Sequence, residues 1–122
     1  MIYVNNIEKE TMENENFRKV LTTSPHSQLV VMSLLPGEEI GMETHSVDQF
    51  IRLESGVGKS ILDGKEYVIE KDFAIVIPAG TLHNIINTGN EKMKLYSVYS
   101  PAEHPDGTIH ATKAEADAAE QH

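Results

Sequence analysis

The sequence predicts an all-β fold, and three observations carry that reading. Apolar, β-branched runs of strand length recur about every ten residues, clusters of Gly, Pro, Asn and Asp separate them, and no long helical pattern intervenes. An antiparallel sandwich or barrel accommodates this rhythm, whereas a βαβ fold needs a helix-length connection between successive strands. A chain of 122 residues falls within the range of one domain, so a single unit over 1–122, with its barrel core at 28–100, is expected.

Along the chain, a short N-terminal segment comes first, in which Asn14 to Leu21 places Phe17, Val20 and Leu21 on one face of a short helix. Gln28 to Leu35 (QLVVMSLL) is a buried strand, stopped by the turn dipeptide Pro36-Gly37. Asp48 to Glu54 is the next strand, followed by a Gly56-Val57-Gly58 corner. Lys59 to Leu62 then leads into Asp63-Gly64, a two-residue hairpin signal. Tyr67 to Glu70, Phe73 to Ile77, His83 to Asn87 and Lys92 to Ser100 continue the series. Lys71-Asp72, Pro78-Ala79-Gly80 and Thr88-Gly89-Asn90 break it. Ser100 to His110, with Pro101, Pro105 and Gly107, reads as a loop, and Lys113 to His122 (KAEADAAEQH) as a frayed helix or a disordered tail.

Composition narrows the function. Cysteine is absent, which excludes disulfides, thiolate metal sites and thiol nucleophiles and leaves His, carboxylate and amide groups as metal ligands. Nineteen acidic against ten basic residues give a net charge of −9, which opposes a phosphate backbone, so no nucleic-acid partner is expected. No apolar run is long enough to span a bilayer, and MIYVNNIEKE lacks the pattern of a secretory signal. The expectation is a cytoplasmic protein with no membrane partner.

Two clusters stand out. The first is Gly37, five residues, Glu43, one residue, His45, three residues, Gln49, six residues, Gly56. The second is Asp72, five residues, Pro78, one residue, Gly80, two residues, His83, three residues, Asn87. Glu43, His45 and Gln49 share parity and point to one side if their segment stays extended, and a closed sheet brings His83 opposite them. Two imidazoles, a carboxylate and an amide oxygen are ligands for one divalent transition metal, and two His with one carboxylate is a non-haem Fe(II) pattern. Ile51, Leu53 and Ile85 share the ligands' parity and would wall the pocket with hydrocarbon, while Arg52 would point away. The competing readings are a solvated glutamate at Glu43, which follows Gly41 and Met42 in a polar turn, and an amide at Gln49 that binds a second-shell water. His104 and His110 read as solvated loop histidines, and Tyr96 and Tyr99 as packing residues.

These spacings resemble the two motifs of the cupins, small double-stranded β-helix (jelly-roll) proteins, over Gln28 to Tyr99; the match is to a small single-domain cupin with a conserved barrel. The second motif is present at Pro78, Gly80, His83 and Asn87, with Asp72 in place of its opening glycine. In the first, Glu43 stands where the family has a His and Gln49 where it has a Glu, so the set keeps one negative charge at a different position. The resemblance implies a double-stranded β-helix barrel, a homodimer and a metal site at Glu43, His45, Gln49 and His83 for Mn, Fe, Zn or Ni. The Gln at the fourth position is also similar to small manganese-binding cupins, some of them hydroxynitrile lyases, which keep both histidines of the first motif. The expected activity is a metal-dependent dioxygenase or lyase on a small organic metabolite, with Glu43 or a metal-bound water moving the proton. A sugar-phosphate isomerase and a non-catalytic metabolite-binding or sensing module are the alternatives. The isomerase ranks lower because the sequence shows no cation cluster for a phosphate.

Overall fold

The strand rhythm is present in the folded chain. The elements are α1 (Ile7–Glu13), β1 (Arg18–Thr23), β2 (Gln28–Leu34), β3 (Asp48–Ser55), β4 (Val57–Leu62), β5 (Lys65–Glu70), β6 (Ala74–Ile77), β7 (His83–Asn87), β8 (Met93–Ser100), β9 (Ile109–His110) and α2 (Lys113–Ala119). They belong to a computed structural model that describes residues 2–120. Six strands form one sheet in the order β6-β3-β8-β2-β1-β9 and three form a second in the order β5-β4-β7. Every pairing is antiparallel, as the all-β reading requires.

Register decides what faces the interior. Arg18 pairs with Met32, Met32 with Leu95 and Leu95 with Leu53, making one row across four strands. Gln28, Tyr99, Gln49 and Ile77 make a second row, and even spacing along each strand puts both rows on the same face. Met32, Leu95 and Leu53 are fully buried there, together with Val30 and Ile51, and Ile85 of β7 is fully buried on the second sheet. Such side chains contribute roughly 1.5–3 kcal/mol each when fully buried, so this face is the main source of stability. The polar row lies toward the end of the barrel where β3 begins.

Turn chemistry follows the sequence. Asp63 and Gly64 take φ of 49° and 85°, the left-handed pair that a two-residue hairpin between β4 and β5 needs. Asp72 adopts φ of 74°, so the aspartate that replaces a motif glycine still makes the glycine's turn, helped by its carboxylate pairing with Arg52 at 2.9 Å. Arg52 points out of the barrel, as its parity predicts. Gly58 is required for a different reason: a Cβ there would lie 2.2 Å from the Ile86 carbonyl oxygen.

Two expectations fail. Asn14 to Leu21 is not helical: the helix lies earlier, at α1, and Arg18–Thr23 is a strand. The Asn14 side chain accepts from the Asn16 backbone N–H at 3.1 Å and donates to the Asn16 carbonyl at 2.8 Å, occupying groups a helix would use. From Arg18 onward, pairing with β2 overrides the weak helical pattern, and Phe17 and Val20 are buried by the sheet. The Ser100 to His110 segment is a loop for most of its length, but Ile109 and His110 form β9 against Lys19 and Arg18.

The tail is a helix through Ala119. Thr112 caps it by accepting from the Glu115 N–H, and buried Ala116 joins the core. Gln121 and His122, the last residues of that expected tail, lie outside the described residues. Among the described residues, no helix is long and apolar enough to cross a membrane.

Candidate metal centre

Glu43 and His83 are brought face to face by backbone pairing. Between β2 and β3 the chain is not a continuous strand, so parity alone does not align the first cluster. A single antiparallel bridge does: Glu43 N–H donates to the His83 carbonyl and His83 N–H to the Glu43 carbonyl, both at 2.9 Å. His45 is held by the second cluster as well, because Gly80 N–H donates to its carbonyl at 2.9 Å. The Pro78-Ala79-Gly80 turn thus positions one imidazole through its backbone and leads into the strand that carries the other.

One ligand atom each from Glu43, His45 and His83 lie within 4.8 Å of one another. Glu43 Oε1 is 3.3 Å from His45 Nε2 and 3.8 Å from His83 Nε2, and the two rings meet edge to face with centroids 4.9 Å apart. His83 is 2% exposed. Its Nδ1 lies 2.9 Å from the Thr81 carbonyl, which can only accept, so Nδ1 carries the proton and Nε2 presents a lone pair. That buried Nε2 has no hydrogen-bond partner, and neither does His45 Nδ1. Buried polar atoms are normally paired, and the orphaned His83 Nε2 beside the Glu43 carboxylate fits a divalent cation, with His45 Nε2 on the other side of that carboxylate.

The charges suit the same reading. Burial works against ionisation of both Glu43 and His45, but each opposes it in the other. The carboxylate is held below its usual range by His45 and then His83, and His45 is held above its usual range chiefly by Glu43. Gln49, buried on the polar row, donates to Ser97 Oγ at 3.0 Å and leaves its own Oε1 without a partner. An unpaired amide oxygen is the form of Gln49 that a cation or an ordered water would use.

Three further groups stand at this end: Tyr99 and His104, which the sequence reads as a packing residue and a solvated loop histidine, and Glu103, which it does not single out. Tyr99 is 1% exposed, and its ring packs edge-on to both His45 and His104. Burial raises the Tyr99 phenol well above its usual range, so it stays an O–H donor. His104 is a site neighbour instead of a solvated histidine: its Nε2 is 3.4 Å from the Tyr99 hydroxyl, and burial, with the charges of Arg18 and His45, pushes it down to about 3. Glu103 brings a second carboxylate, 4.0 Å from His45 Nε2. Gln28 holds this loop, accepting from the Glu103 and His104 N–H groups at 3.2 and 3.0 Å and donating to the His104 carbonyl at 2.7 Å. Tyr99 packs as the sequence reading expects, but against the site's own imidazoles; nothing local marks Glu103.

With this geometry in view, the similarities to known proteins fall into place. The family model described as Cupin domain matches residues 30–99. A Bacillus subtilis protein, the uncharacterized YrkC, is 51% identical over 97% of this chain and 67% of its own length. The uncharacterized protein L612 of Acanthamoeba polyphaga mimivirus is 49% identical over 88% of this chain and 71% of its own length. The crystal structure of BH2720 from Bacillus halodurans superposes with a TM-score of 0.93 at 47% identity, covering 95% of this chain and 93% of that one.

Proposed function

This chain belongs to the cupin family, and on that premise we propose that it binds one divalent transition metal through Glu43, His45 and His83 and acts as a dioxygenase or lyase on a small organic metabolite. The observation that carries the proposal is His83 Nε2: buried, unpaired, turned toward a carboxylate, and left free to ligate because Nδ1–H donates to the Thr81 carbonyl. When bound, such a metal supplies Lewis-acid or redox chemistry.

The protein's own groups have distinct tasks. Thr81 fixes the tautomer and orientation of His83. Glu43 contributes the negative charge of the set and sits between the two imidazoles, which suits it to ligation. Glu103, on the loop at the mouth, is then the carboxylate left to accept or return a proton. Tyr99 and His104 close the space beside His45 against water, and the Tyr99 hydroxyl offers a donor to a substrate oxygen. Gln49 serves as a fourth ligand or orders a water through its unpaired oxygen.

Elemental analysis of protein purified without chelators tests this. A near-stoichiometric metal that His83→Ala loses is expected, with iron directing the assay to oxygen uptake and manganese or zinc to lyase chemistry. Wild-type protein that takes up none of manganese, iron, nickel or zinc would overturn the reading in favour of a non-catalytic binding module. The homodimer implied by the family resemblance is part of the same proposal, and sedimentation velocity checks it.

A further inference from the structure

One segment at the mouth of the barrel hangs on a single side chain. β8 ends at Ser100, which pairs with Asp48, and the chain next joins the sheet at Thr108, whose carbonyl accepts from Val20 N–H at 2.9 Å. Among the described residues, and apart from a turn closed between Pro105 and Thr108, every backbone hydrogen bond of 101–107 goes to the side chain of Gln28. Gln28 is 1% exposed and saturated: Oε1 accepts from the Glu103 and His104 N–H groups, while Nε2 donates to the His104 carbonyl and, at 3.0 Å, to Thr23 Oγ1. An amide offers two acceptor and two donor positions, and all four are filled.

What the segment covers is the candidate metal centre. Glu103 lies against His45, and His104 packs on Tyr99, which in turn packs on His45. The His45 and His83 side chains are 8% and 3% exposed, whereas those of Glu43 and Glu103 are 23% and 29% exposed. Solvent thus meets the centre at two carboxylates, one of them on the segment itself. A strand held by ladder bonds opens only with its neighbours, but a segment closed through one side chain can detach while the strands on either side stay paired.

We infer that 101–107 is a strap that opens as a unit, that Gln28 is the positioning residue that latches it, and that opening admits metal and substrate to the centre. The latch itself needs no metal; the access role rests on the metal reading of Glu43, His45 and His83. Closed, the strap delivers Glu103 to His45 and shuts water out beside Tyr99. Gln28 makes no hydrogen bond to Glu43, His45 or His83 among the described residues, so it acts on the centre through the strap.

Hydrogen exchange read by NMR tests the latch on metal-free protein, and diethyl pyrocarbonate, which acylates accessible neutral imidazoles, tests access at His45. In the wild type the Glu103 and His104 amides, corrected for their intrinsic rates, are expected to exchange at least about tenfold faster than those of Glu43 and His83, which share the backbone bridge. Gln28→Met keeps the length of the side chain and loses the amide. It is expected to remove the remaining protection at Glu103 and His104, leave Glu43 and His83 as they were, and speed acylation of His45 at least about tenfold. In metal-loaded protein it is expected to speed metal loss to EDTA by a similar factor, with metal content at saturation unchanged. Wild-type amides at Glu103 and His104 that exchange no faster than those of the bridge overturn the proposal, as does unaltered acylation of His45 in Gln28→Met. If Gln28→Met does not fold, the wild-type exchange comparison decides. A protein that takes up no metal yet shows the amide and acylation changes refutes the metal reading alone; one that holds metal and, as Gln28→Met, loses it at the wild-type rate refutes this inference alone.

Discussion

His83 and Asn87 lie on the same inward face of β7, both buried, and their polar atoms fare in opposite ways. Asn87 is fully satisfied: its Nδ2 donates to the Leu34 carbonyl at 3.0 Å and the Glu91 carbonyl at 2.8 Å, and its Oδ1 accepts from Gly89 N–H at 3.0 Å. Its backbone closes the same corner, taking Gly37 N–H on its carbonyl and donating to Glu38. His83, four residues earlier, keeps an unpaired Nε2, and Gln49 across the barrel keeps an unpaired Oε1. Leaving a buried polar atom unpaired costs about 1–3 kcal/mol. The Asn87 corner is therefore built for stability, while the His83 end carries atoms that a ligand or water would satisfy.

The largest effect that could break this contrast is on metal affinity. His83→Ala is expected to lower it by more than about a hundredfold, since even removal of a ligand's supporting hydrogen bond costs 10–100-fold. The rise in melting temperature that added metal produces in the wild type should vanish. Next comes Asn87→Ala, expected to cost about 2–3 kcal/mol in urea unfolding while metal content per folded molecule is unchanged. Should Asn87→Ala lose metal, or His83→Ala destabilise the metal-free protein more than Asn87→Ala does, the two ends are not separable.

Gln49→Leu sharpens the comparison further. It removes an orphaned acceptor, so the metal-free protein should keep its stability, while metal affinity drops about tenfold if the amide oxygen serves the centre. The last effect is on pH dependence. Burial, aided by Arg18 and His45, holds His104 down to about 3, whereas in the unfolded chain it titrates near its usual value of about 6.5. The unfolded chain therefore binds the proton first as pH falls, so the stability this group contributes is full above pH ~6.5 and is lost progressively toward pH ~3. Melting curves at neutral and acidic pH should show a shallower decline for His104→Gln than for wild type, and an unaltered decline for Asn87→Ala.

Much of the barrel was legible because its signals are local. Alternation, breaker clusters and the Asp63-Gly64 pair located every strand from β2 to β8 within a residue or two. His45, His83 and Glu43 were legible through spacing between two clusters, although their alignment comes from the Glu43–His83 bridge and the Gly80–His45 hydrogen bond instead of an unbroken strand. β1 was misread, because Asn14 to Leu21 carries a weak helical pattern that pairing with β2 overrides. With it Arg18 was missed, since a lone arginine in a misassigned segment gives no sign that it turns inward.

Glu103 and His104 show where sequence reading stops. They reach the site because Gln28, 75 and 76 residues away, binds their backbone, and no local preference encodes that contact. The amino-acid sequence by itself determined the strand periods, the turns that need positive φ and the ligand types available without cysteine, all properties of neighbouring residues. Tertiary structure alone decided which polar atoms go unpaired and that Arg18 turns inward from β1. Those depend on register between strands far apart in the chain, and a hydrogen bond is satisfied or orphaned only once both partners are in place.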